Sequence, residues 1–258
     1  MLAGRASAAA QPTPLRPIRE ALLGAARRGL RPGEELAPFV PALATLVPEW
    51  GTRGAAAESP LLLAEAVLRL LTTVAGEVPA TLVIEDLQWA DPETLAVVEY
   101  LADNANGSPV LLVATVRDGE PGDGADLVAG LVERRVASEL PIGPLGREDL
   151  LVLARWCVAS GEVPAEVADA LVERSEGVPF LVEELVATAV ADGWDTVAAA
   201  VPGSVQVSVA RRFDRLAPEA RRLHGRGGQR ALATSTSWSS AMFTAVTCSS
   251  SGSAVMGR

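Results

Sequence analysis

The chain has 258 residues, 49% hydrophobic and 21% charged, with a formal net charge of -10. That is enough for one globular domain with a buried core, or one domain with a small appendage. The acidity makes the polypeptide a poor binder of nucleic acid phosphates. All 22 positive side chains are arginine, and there is no lysine.

In chain order, "PIREALLGAARRG" (17–29) has Pro near its start, Gly at its end and apolar residues at helical spacing, which predicts a helix. A weaker helix is expected around 37–47. "SPLLLAEAVLRLLTTVAG" (59–76) predicts the clearest helix, with Ser at the cap, Pro in the first turn and Gly after the end. The period then changes. "TLVIED" is a run without alternation, expected of a strand buried on both faces. A helix over 92–104, the strand "PVLLVATVRD", a helix over 124–135 and the weak strand "SELPIG" follow. This order predicts a parallel α/β sheet. From residue 146 the pattern is helical, in "GREDLLVLARWCVAS", "PAEVADALVERS" and "PFLVEELVATAVADG", with two further helices in "GSVQVSVARRFDRL" and "APEARRL". After Leu223 the chain is rich in Ser, Thr, Gly and Ala, has no acid and shows little period. That reads as a disordered polar tail, or as the product of a frameshift near codon 224.

Chemistry concentrates at "LVIEDLQWADPETL" (82–95). Glu85 and Asp86 end a buried strand, where open α/β sheets put their ligands. A nucleoside triphosphate needs a backbone N–H cradle and a cation for its phosphates, and hard oxygen ligands for its magnesium. The two acids either do that second job or satisfy the dipole of the next helix. Thr115 and Arg117 end the neighbouring strand, where Arg117 either reports a terminal phosphate or pairs with Asp118. In "SEGVPFLVEEL", Gly177 and Pro179 make a rigid turn that either presses on an adenine ring or simply opens a helix.

Together, in this order and spacing, these pieces resemble the nucleotide-binding module of the STAND class of AAA-like P-loop ATPases. The nearest group is that of bacterial LuxR-type (MalT-like) transcriptional regulators, and the resemblance covers about residues 2–223. It implies that Glu85 and Asp86 are the Walker B acids and magnesium ligands. It makes Asp91 the accessory acid, Arg117 the sensor, and Gly177 and Pro179 the Gly-x-Pro motif with Pro179 on adenine. Trp89 is assigned to packing. The cofactors would be ATP and magnesium, in an intact parent. The partners would be ATP or ADP and other regulator domains or protomers, with no direct nucleic-acid contact and no membrane. The fold class is then α/β: an incomplete parallel P-loop-type sheet with flanking helices, a small helical domain, and the start of a winged-helix unit. The implied domains are 1–145 (nucleotide-binding), 146–200 (helical lid), 201–223 (winged-helix start) and 224–258 (tail). "LAGRASAAAQPTPLRPIREAL" resembles the family's second strand and following helix.

The family's phosphate loop, G-x-x-x-x-G-K-[ST], has no counterpart here, because no lysine exists to fill it. In that fold the strand carrying the loop is central, between the sensor strand and the last strand. Its loss predicts unpaired backbone inside the sheet and a destabilised core. ATP hydrolysis by this chain is therefore not expected. Three alternatives are a non-enzymatic interaction module, the non-functional product of a broken gene, and an ATPase whose loop comes from another chain. The two cysteines, Cys157 and Cys248, form no metal motif or disulfide framework, and the N-terminal residues lack a signal-peptide core. A cytoplasmic location is the expectation.

Overall fold

The structure is a computed structural model that describes residues 1–8, 13–52, 59–76, 78–117, 119–199 and 243–248. It divides into two units. One holds the described residues up to Ile142 together with Phe243–Cys248, and the other holds those from Gly143 onward to residue 199.

The first unit is mixed α/β. In chain order it comprises β1 (Leu2–Arg5), α1 (Arg16–Arg27), α2 (Val40–Leu43), α3 (Pro60–Val74), β2 (Ala80–Glu85), α4 (Pro92–Asn104), β3 (Val110–Arg117), α5 (Asp123–Glu133), β4 (Ser138–Ile142) and β5 (Phe243–Cys248). The sheet order is β1-β2-β3-β5-β4. β1, β2 and β3 are parallel neighbours, with Leu2 opposite Leu82 and Leu82 opposite Leu112. One face of β2 is sealed by Leu82 and Ile84, while Thr81 and Val83 on the other are half-buried. The two faces are therefore covered unequally, where the unbroken apolar run predicts equal burial.

Local chemistry sets the helix boundaries. Ser59 caps α3 by accepting from the Leu62 N–H, and Pro60 opens its first turn. Asp91 does the same for α4 ahead of Pro92. The helix expected over 37–47 shrinks to α2, flanked by 3-10 turns at Glu34–Leu36 and Pro48–Trp50. Pro38, Pro41 and Pro48 each remove an N–H that a longer helix would need. The core joins the helices to the sheet through Ile18, Leu22, Leu43, Leu70, Leu71, Leu82, Ile84, Leu101 and Leu131, all fully buried. Each such side chain contributes about 1.5–3 kcal/mol of burial free energy.

β5 corrects two expectations at once. Residues 243–248 lie in the stretch read as a tail without regular structure, yet they form a strand inside the sheet. β5 runs antiparallel to β3 on one side, from Leu112↔Cys248 to Arg117↔Phe243, and antiparallel to β4 on the other, from Ser138↔Thr247 to Ile142↔Phe243. The edge of β3 is therefore paired rather than orphaned. The sequence Phe-Thr-Ala-Val-Thr-Cys carries enough β-branched and aromatic residues to extend well. The remainder of 224–258, and the expected winged-helix start at 201–223, lie outside the described residues.

The second unit is helical: α6 (Arg147–Trp156), α7 (Ala165–Ser175), α8 (Pro179–Asp192) and the short α9 (Thr196–Ala199). Leu150, Ala154, Leu171, Val182, Leu185, Val186 and Val197 form its core.

Two glycines allow close approach. A Cβ on Gly4 would overlap the carbonyl of Pro17 in α1, and a Cβ on Gly124 in α5 would overlap that of Leu87. Gly4→Ala is expected to lower unfolding free energy by about 1–3 kcal/mol, since backbone must move. Gly130→Ala, in α5 with nothing within 4 Å of the added methyl, is expected to raise it by about 0.5–1 kcal/mol. Urea unfolding of both variants checks the pair, and a neutral Gly4→Ala would refute the tight crossing of β1 by α1.

Candidate functional site at the carboxyl edge of the parallel strands

β1 and β2 end opposite one another at Arg5 and Glu85, and β3, paired with β2 as far as Ala114, runs on to Arg117. Immediately after β2 the chain turns through Asp86, which adopts the left-handed conformation with φ 55° and ψ 46°. Asp tolerates that region better than most residues. The turn leads directly into a 3-10 turn over Leu87–Trp89, which buries Leu87 completely.

Asp86 is 6% exposed, and partners from both neighbouring strands converge on it. Its N–H donates to Thr115 Oγ1 on β3 at 3.0 Å. Arg5 on β1 grips its carboxylate: Nε donates to Oδ2 at 2.7 Å, and a terminal guanidinium nitrogen reaches the same oxygen at 2.7 Å. Arg117 on β3 brings its Nε to 3.8 Å from Oδ1. The Arg117 N–H donates to Gln88 Oε1 at 3.3 Å, and its guanidinium lies 3.7 Å from Glu120. The hydrogen bond to Asp86, followed by the same carboxylate's charge, pushes the Arg5 guanidinium above its ordinary range. Glu85 opposes Arg5 in the strand register, and its side chain is exposed.

Asp91 does a different job. It is 5% exposed and accepts from the Thr94 N–H at 2.9 Å and the Thr94 hydroxyl at 2.6 Å. It also accepts from the Leu15 N–H at 3.1 Å. Leu15 has φ 58° and immediately precedes α1, so Asp91 clamps the starts of α1 and α4 with one side chain. Burial pushes its carboxyl up, but the Thr94 hydroxyl, the Thr94 amide and the Leu15 amide together hold it below the ordinary carboxylate range. Half-buried Trp89 borders a gap of about 10 Å³ beside Asp91, too small for more than a single water.

Gly177 and Pro179 belong to the second unit. Gly177 has φ +77°, and a Cβ there would overlap Pro144 and the Leu145 carbonyl. The Leu145 N–H donates to the Gly177 carbonyl at 2.8 Å, and Pro179 opens α8. The structure thus joins Asp86 to Arg117, sets Glu85 and Asp91 on the same segment, and leaves Gly177 and Pro179 in a separately described unit. Asp118, the sequence's other partner for Arg117, lies outside the described residues.

Arg5 is the site residue that sequence reasoning missed. Its signal was positional: it is the last residue of the first strand, beside the last residue of the second. Nothing in "LAGR" announces a charge partner far along the chain.

The arrangement does not fit magnesium as it stands. Both Asp86 oxygens face guanidinium groups, so a cation would have to displace Arg5. Among the described residues no group of three or more His, Cys, Asp or Glu side chains is arranged to hold a metal ion.

No family model matches the chain, and no solved structure matches it. An uncharacterised protein of Rhizobium meliloti (strain 1021) is 28% identical over 141 residues. That span is 52% of this chain and only 13% of the relative's length. Among the described residues no helix is long and apolar enough to cross a membrane.

Asp91→Ala is expected to cost about 1–2 kcal/mol at neutral pH through the lost cap, with the Leu15 N–H orphaned as well. The folded-state pKa of Asp91 is depressed. Its contribution is therefore fully present above the unfolded value of about 3.9 and is lost as pH falls through the lower folded value. The gap between wild type and variant in urea titrations should begin to narrow below about pH 4 and go on closing as pH falls further. A gap that stays constant into acid would contradict the role of the ionised carboxylate.

Proposed function

We propose that the chain carries the Walker B and sensor strands of a STAND-type ATP switch from a transcriptional regulator, and that these residues do not themselves hydrolyse ATP. What carries the reading is the coupling of Asp86 to Arg117 across adjacent parallel strand ends. An acid at one strand end and an arginine at the next are the parts such a switch needs to register phosphate charge. In the parent, with Arg5 displaced from Asp86, Glu85 and Asp86 would serve magnesium, Asp91 the same motif, and Gly177 and Pro179 the adenine. ATP and magnesium would be its cofactors, and other regulator domains or protomers its partners. The P-loop-type sheet, helical lid and winged-helix start belong to this proposal too, as does a cytoplasmic location.

Hydrolysis is a separate matter. Transition-state charge on a phosphoryl group must be met by preorganised donors and cations. The chain has no lysine, and Asp86 is occupied by Arg5. A non-enzymatic interaction module is the second reading, and the closed Arg5–Asp86 pair is what favours it.

Phosphate release from magnesium-ATP by the purified chain is expected to equal that of the Asp86→Asn variant. Release that disappears on Asp86→Asn would make the chain an ATPase and overturn the second half of the proposal. Sequencing the locus with its flanks tests the first half. An in-phase G-x-x-x-x-G-K-[ST] upstream is expected, and a frame bounded without one removes ATP from the description.

A further inference from the structure

β3 and β4 do not pair with each other. Between them lies a slot one strand wide, and residues 243–248 fill it. The occupant is unusual in three respects. It runs against the direction of the other strands, since β1, β2 and β3 are parallel and β4 shares their antiparallel relation to β5. It pairs along both of its edges, so its removal would open two ladders together. It is also delivered from a distance, because the whole second unit intervenes between the end of β4 and the start of β5.

A cleft of about 410 Å³ accompanies the slot. Its walls run from Val116 and Arg117 on β3, under Ala125, Val128 and Val132 of α5, to Glu139 on β4. The space therefore spans the two strands that receive β5, and α5 offers an apolar surface across it.

We propose that the β3–β4 slot is a strand-acceptor site and that residues 243–248 are its exchangeable occupant, so that a second copy of this chain can supply the same segment. The recognition is main-chain hydrogen bonding to two edges at once, as in β-strand addition. Each doubling of the connecting chain adds to the cost of closure, so a segment delivered across an entire unit holds a smaller advantage over a partner's segment than one on a short turn would. The effective concentration of a tethered segment reaches the millimolar range only for short linkers. Delivery by the same copy therefore gives way to delivery by a partner as protein concentration rises, and the result is an exchanged dimer closed by identical contacts. The incoming strand brings Phe243 opposite Arg117, the last pair of the ladder. This proposal does not rest on the ATP-switch reading.

The register provides the test, because Cys248 is the partner of Leu112. Directly opposed residues in an antiparallel pair have Cα atoms about 4.5–5.5 Å apart, which a disulfide spans. The full chain carrying Leu112→Cys and Cys157→Ser is refolded dilute and again near millimolar, then oxidised. The expected result is a disulfide within one chain when dilute, and mostly between two chains when concentrated. Val246→Pro, which removes an N–H from a strand paired on both sides, is expected to abolish both. A disulfide confined to one chain at every concentration would overturn exchange. No disulfide at either concentration would overturn occupancy of the slot, and one that survives Val246→Pro would show collision instead of pairing. Should Leu112→Cys fail to fold, Val113→Cys with Thr247→Cys, the next pair in register, is read the same way in a background of Cys157→Ser and Cys248→Ser.

Discussion

Two buried carboxylates on the segment after β2 hold the carboxyl edge of the sheet in place. Burying a charge is costly unless it is paired and hydrogen-bonded, so Asp86 and Asp91 dictate what must surround them. Asp86 draws Arg5 from β1, and Thr115 and Arg117 from β3. Asp91 draws the Leu15 N–H at the entry to α1 and the Thr94 N–H and hydroxyl in the first turn of α4. Between them the two acids tie every parallel strand and two helix starts to a single short loop. Two residues in the left-handed region, Asp86 and Leu15, are held there by those same bonds. Such conformations persist where the surroundings over-determine them.

The two acids are nonetheless unequal. Asp91 has its hydrogen-bonding capacity largely consumed by neutral donors of its own chain, and its partners are backbone and threonine. That is the signature of a structural clamp. Asp86 is held by charged side chains, and the Arg5 side chain is 62% exposed. That partner can turn out to solvent, whereas the Asp86 carboxylate cannot. Of the two, Asp86 is therefore the one whose partners can change, and the one next to which a ligand could matter.

Much of this edge was legible in the sequence. "LVIED" and "LLVATVR" announced neighbouring buried strands with acids and arginine at their ends, and β2 and β3 lie there in parallel register. Ser59–Pro60 and Asp91–Pro92 announced helix starts because cap chemistry is local. What failed to show was whatever depends on distant pairing. The family resemblance made Asp91 an accessory acid of the same motif, and nothing local announced the Leu15 N–H that reaches it from far upstream. Arg5 gave no signal for the same reason. The strand at 243–248 sits amid Ser, Thr and Gly with no acid and no clear period, and its identity as a strand depends on edges contributed by β3 and β4. Non-local pairing of that kind is invisible to a window of sequence.

The sheet and the charged edge meet at Arg117. Its side chain faces Asp86 just after β2 and Glu120 beyond its own strand, while its backbone pairs with Phe243 at the mouth of the β3–β4 slot. A single residue thus belongs both to the ion-pair cluster and to the last rung of the ladder that closes the sheet. Backbone position sets where a guanidinium can reach, and a central strand fixes backbone more firmly than an edge does. With the slot filled, β3 is ordered on both sides up to its final residue, and Arg117 is aimed at Asp86. With the slot empty, the end of β3 would lose its paired neighbour on that side and keep the bonds of Thr115 to the Asp86 N–H and of the Arg117 N–H to Gln88. Arg117 is therefore the residue at which the occupant of the slot and the charged carboxyl edge meet.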